Sequence, residues 1–143
     1  MKPAFWLCAL LLTGCAQHGF AAFVVNQDAH SQAKPGKSYS AEPCTLRNQN
    51  GILQLGSGPA GADGSLQLRV AIPPGQSLEA LLGRTLEGGS GEAQVNQARL
   101  TLEKGSFTLQ TLQSGVARGN FNARVKGQDP PWEVVGSFEA RLQ

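Results

Sequence analysis

The stretch that decides the fold is Gly119–Leu142, GNFNARVKGQDPPWEVVGSFEARL. In its first half Phe121, Ala123 and Val125 alternate with Asn120, Asn122 and Arg124. In its second half Trp132, Val134, Phe138, Ala140 and Leu142 alternate with Glu133, Ser137, Glu139 and Arg141. A period of two puts one set of side chains on a dry face and the other on a wet face, as in an antiparallel strand. Between the halves, Gly127-Gln128-Asp129-Pro130-Pro131 is a turn signal.

The same period runs back through the chain. Leu66, Leu68, Val70 and Ile72 share one face, with Gln67 and Arg69 on the other, and Ala98, Leu100 and Leu102 alternate with Arg99, Thr101 and Glu103. GSLQLRV, GSFTLQT, GNFNARV and GSFEARL recur from residues 64, 105, 119 and 136 at irregular spacing. This excludes a solenoid and reads as strands that begin or bend at a glycine and insert a large apolar residue into a shared core. The glycine stretch Gly56–Gly61 reads as a flexible loop, and Gly88–Gly91 and Lys104-Gly105-Ser106 read as turns, the last joining a hairpin of strands 95–103 and 106–112. Ser77–Leu86 fits either a short helix capped by Ser77 or an alternating strand, and is assigned as a strand. The expected fold class is all-β, a small antiparallel β-sandwich or barrel-like sandwich of six to eight strands.

Composition excludes several classes of function. Lys and Arg number 12 against 10 Asp and Glu, too balanced for a nucleic-acid binder working through a basic surface. Hydrophobic residues make up 41% of the 143, too many for a disordered chain. Only His18 and His30 could supply imidazole, and both precede the alternating region, so no Ser or Cys there has a histidine base. Glu79, Glu87, Glu92, Glu103, Asp129, Glu133 and Glu139 fall mostly at turn or solvent-facing positions, and nothing in the sequence pairs them. Gly56-Ser57-Gly58-Pro59-Ala60-Gly61 matches G-x-G-x-x-G but contains Pro59 and is followed by more glycine and a strand, not the helix a nucleotide site requires. No catalytic residue, metal site or cofactor is expected.

The N-terminus carries an address. Lys2 precedes the apolar run Phe5–Leu12, which is too short to span a bilayer at ~20 residues and has the build of a secretory signal peptide. Leu11-Leu12-Thr13-Gly14-Cys15 resembles the bacterial lipobox, which implies cleavage before Cys15 and acylation of that residue. Ala16, where Asp would favour inner-membrane retention, points to the outer membrane. The competing reading is ordinary cleavage near Phe20-Ala21-Ala22. The expected organisation is a signal peptide over 1–14, a lipidated N-terminus and polar tether over 15–45, and a β-domain over 46–143. Phe20–Val25 is an apolar run that joins the sheet or packs on it. Cys44 reads as a buried small hydrophobe or an intermolecular disulfide partner, and would face a Cys15–Cys44 bridge if Cys15 were not lipidated.

Arg outnumbers Lys in the β-region, and Arg suits protein interfaces. Arg69, Arg99 and Arg124 are expected on outward faces. Leu81, Leu112 and Val135 fall off the alternating pattern. Arg69, Arg99, Arg124, Leu81 and Val135 are therefore the candidate partner-binding residues.

GSLQLRVAIPPGQSL (64–78) has an alternating strand, an aliphatic-Pro-Pro-Gly turn and the start of a second alternating strand. With the lipobox and the overall length, it resembles the first hairpin of the YscW/ExsB-type lipoproteins, the pilotins of type III secretion. The resemblance implies an outer-membrane lipoprotein that rides the lipoprotein sorting machinery, binds the C-terminal segment of a secretin subunit and helps it reach the outer membrane, without catalysis. Only Cys15 carries over as a functional position. The alternative is a periplasm-facing lipoprotein inhibitor or immunity protein that blocks a hydrolase through the Gly-rich loops at 56–64 and 88–91.

Overall fold

The computed structural model describes residues 19–27 and 37–143. The signal segment, Cys15 and both histidines lie outside the described residues. The chain is all-β. Nine strands occur among the described residues: β1 (Phe20–Asn26), β2 (Lys37–Ala41), β3 (Cys44–Gln49), β4 (Ile52–Ser57), β5 (Leu66–Ala71), β6 (Thr85–Val95), β7 (Ala98–Gln113), β8 (Val116–Val125) and β9 (Trp132–Leu142). Strands β3 to β9 close into a seven-stranded barrel, because β9 pairs with β8 along one edge and with β3 along the other. The β3–β9 seam is parallel and only two residue pairs long, Thr45 with Arg141 and Leu46 with Leu142. Below it, β1 takes over the same edge of β9 from Glu139 to Glu133 and carries β2 on its far side.

Alternation specifies most of this wall. Leu66, Leu68, Val70 and Ile72 are all buried, as are Phe121, Ala123 and Val125 on β8 and Val134, Phe138 and Ala140 on β9. The barrel centre is filled by side chains. Phe107 stacks on Phe138 with ring centroids 4.9 Å apart, and Phe23 stacks on Tyr39 at 5.5 Å. Two glycines make room for these rings. A Cβ on Gly119 would lie 2.8 Å from the Phe138 ring, and one on Gly136 would lie 2.6 Å from the Phe121 ring and 2.7 Å from Phe23 Cβ. The pairs Gly119–Phe138 and Phe121–Gly136 face each other directly across β8 and β9.

Several expectations need correction. The tether expected over 15–45 contains two strands: Ala21, Phe23 and Val25 of β1 lie in the core, and Tyr39 of β2 packs against it. The ordered domain therefore takes in residues well before 46. The run Gly88–Gly91 is not a turn but lies within β6, and Lys104–Ser106 lies within β7. Lys104 (φ 50°) and Gly88 (φ 81°) sit where the β6–β7 and β7–β8 registers shift. These are β-bulges, each adding a residue that flips the inward parity, from Leu86 to Gly89 on β6 and from Leu102 to Gly105 on β7. The hairpin turn is instead at Asn96-Gln97, both at positive φ, and joins β6 to β7. Ser77–Leu86 is not a strand. It forms a single 3-10 turn, Glu79–Leu81, with Ser77 Oγ accepting the Ala80 N–H at 3.3 Å, and strand structure begins only at Thr85. The second strand expected straight after the Pro-Pro-Gly turn is thus replaced by a loop across one end of the barrel.

Candidate binding surface

Among the described residues a cluster of buried apolar side chains fills the core, and the grooves lie on the outer wall. Among the described residues, no group of three or more His, Cys, Asp or Glu is placed to hold a metal ion. No helix there is long and apolar enough to cross a membrane.

The structure separates the five candidate partner-binding residues. Leu81 is 1% exposed and plugs the barrel end from the 3-10 turn, so it is a core residue and cannot contact a partner. It falls off the alternating pattern because a 3-10 turn has a period of three, not two. Arg69 points outward from β5, between Gln54 of β4 and Ser90 of β6. Arg99 stands beside the β6–β7 turn with its Nε 3.7 Å from a Glu92 oxygen, an exposed pair of little energetic weight. Arg124 and Val135 do come together. Arg124 faces Glu133 across the β8–β9 pair, and Val135, 42% exposed, faces Asn122 two residues along.

Arg124 also lines a groove of ≈ 630 Å³ with Glu87 and Gly88 from β6, Lys104 and Ser106 from β7, Asn122 from β8 and Glu133 from β9. Its shape follows from the bulges. Gly89 and Gly105 oppose each other so closely that a Cβ on either would meet the other's carbonyl oxygen at 3.2 Å, and the wall bends there. The groove floor is polar, with Ser106 Oγ donating to Asn122 Oδ1 at 2.7 Å. Two cations, Lys104 and Arg124, face two carboxylates, Glu87 and Glu133. A groove with both signs and a polar floor suits an extended, mixed-charge peptide segment. Glu87, Lys104, Ser106 and Asn122 escape sequence reasoning because they come from three strands, two of them bulged at residues that also spell turns.

A smaller polar pocket of ≈ 240 Å³ lies between the β4–β5 loop and the β6–β7 hairpin, lined by Ser57, Ser65, Gln67, Glu92, Gln94 and Arg99 among others. Ser57 Oγ is buried there with no hydrogen-bond partner among the described residues. The 58–65 loop is the one Gly-rich loop expected from sequence that the structure retains as a loop. Cys44 is buried and unpaired, and burial pushes its thiol from 9.0 up to about 12, which makes it a packing residue with an unreactive thiol. Comparison of the chain with protein-family models, curated proteins and solved structures returned no match.

Proposed function

We propose that this chain is a lipid-anchored binding protein of the bacterial envelope, held in the outer membrane through Cys15, that docks an extended segment of a partner protein against the groove around Arg124. The observation that carries this reading is the join between lipobox and fold: five residues after Cys15 the chain enters β1, which pairs with β9 beside the closed β3–β9 barrel. An anchor close to a barrel whose outer wall carries a groove of both signs supports surface recognition as its work. Within that reading, a pilotin role toward a secretin subunit is the specific form that the lipobox supports, together with the strand and Pro-Pro-Gly turn of 64–75; the second strand of the resembled hairpin is not formed.

The test is to purify the full lipidated chain from envelope extract and identify what comes with it. A secretin subunit is the expected partner, and its recovery should fall when Lys104→Glu and Arg124→Glu are combined. A hydrolase in its place would favour the inhibitor reading, for which only the 58–65 loop remains as a candidate plug. Recovery of a Cys15→Ser chain in the outer-membrane fraction would sink the anchor.

A further inference from the structure

β1 differs from the other strands in being apolar on both faces. Its inward residues Ala21, Phe23 and Val25 belong to the core, whereas its outward residues are Phe20, Ala22 and Val24. The register places Val24 between Ser38 of β2 and Val135 of β9, with Asn122 of β8 next in the row. The adjacent row reads Ser40, Ala22, Ser137 and Asn120. Two rows across four strands thus present only small, apolar or neutral polar side chains. Charge returns at their margins, in the Arg118–Glu139 ion pair (2.6 Å) beside Phe20 and in the Arg124–Glu133 pair on the opposite margin. Phe20 and Val135 are 46% and 42% exposed, two of the four large hydrophobic side chains that are exposed among the described residues. An uncharged face of this kind marks a contact surface.

From this face we infer that the outer surface of β1 and β9, from Phe20 to Val135, rests on the headgroup–acyl boundary of the bilayer that holds Cys15. The argument rests on the anchor proposed above and on chain length. Cys15 and Phe20 are five residues apart, so even a fully extended connection spans at most about 18 Å. The lipid therefore enters the membrane within reach of this face and of no other wall equally. Four apolar side chains would not hold a free protein on a bilayer. Next to a covalent anchor the contact is intramolecular, with an effective concentration on the order of millimolar, and a weak contact is then populated. The barrel would lie on its β1–β9 side, leaving β5 and β6, diametrically across the seven-stranded ring, facing the periplasm.

The experiment uses the full lipidated chain in vesicles of phosphatidylethanolamine and phosphatidylglycerol that carry spin-labelled lipid. An environment-sensitive fluorophore is attached at Val135→Cys or, as the control, at Gln67→Cys on β5. The buried Cys44 thiol leaves the introduced cysteine as the reactive one. Emission at 135 should shift to the blue and be lost to the spin-labelled lipid, while emission at 67 is unaffected. Val24→Asp, an outward change that leaves the core intact, should restore emission at 135. Equal quenching at both positions in a chain that floats with the vesicles would overturn the inference and leave the anchor standing, as would protection of 135 by a bound partner protein instead of lipid. A chain that does not float would overturn the anchor and this inference together.

Discussion

At the scale of single residues, Cys44 links burial to pH. Its thiol keeps a proton in the folded chain up to about pH 12, whereas an unfolded chain releases it near 9. Unfolding between those values therefore releases a proton. Stability falls as pH rises through that window, with a slope of up to about 1.4 kcal/mol per pH unit, and the term is constant below 9. Cys44→Ala removes this slope: the stability gap between native chain and variant should narrow as the pH of urea unfolding is raised from about 8 to about 10. Leu81 is a second such residue. With 1% of its surface exposed it should behave as core, and Leu81→Ala should cost about 2–5 kcal/mol in the same assay without altering partner recovery. Gly119 is a third. An added methyl would lie 2.1 Å from the Thr108 carbonyl oxygen and 2.8 Å from the Phe138 ring, so Gly119→Ala should cost about 3 kcal/mol through overpacking.

At the scale of elements, legibility tracked strictness of alternation. β5, β8 and β9 keep one parity from end to end, and their inward residues are readable directly from spacing. β6 and β7 change parity in mid-strand. A bulge needs the left-handed conformations that glycine tolerates, so Gly88 and Lys104-Gly105 carry the same residue signature as a turn. The groove lies at those bulges, so Glu87, Lys104 and Ser106 lie in or beside stretches that read as turns, whereas the outward position of Arg124 follows from the strict alternation of β8. Lys104 also gives an element-level prediction. It holds φ 50° at the β7 bulge, so Lys104→Gly should stabilise the barrel by up to about 1 kcal/mol, while a β-branched replacement should destabilise it. The sequence leaves β1 open between joining the sheet and packing on it, and the structure places it in the sheet, whereas β2 is hidden because Lys37–Ala41 belongs to a polar stretch that reads as linker. A chain cut to 43–143 would lack both strands and uncover Val134 and Phe138 of β9, and should lose cooperative thermal unfolding that a chain beginning at residue 16 retains.

At the scale of the whole molecule, the proposed anchor at Cys15 would lie five residues from the start of β1, a close attachment in place of a long tether. If the proposed anchor is right, Cys15→Ser should move the chain from the outer-membrane fraction to the periplasmic one without changing its unfolding midpoint, because the buried core is drawn from residues 21 to 140. If the proposed partner docks in the groove of both signs, its recovery should decline as ionic strength rises and the Debye length shortens from about 10 Å toward about 3 Å.

The architecture also orders events in time. β9 is the last strand of the chain, yet it pairs with β1, β3 and β8. A polypeptide threading N-terminus first through a translocase can form the β3–β4 and β4–β5 ladders early, but neither the ring nor the docking of β1 can form until β9 has emerged. Such long-range pairing is slow to nucleate. On the proposed export route the β1–β2 hairpin would wait for β9 before it could dock, and the barrel would stay open until the far end of the chain arrived.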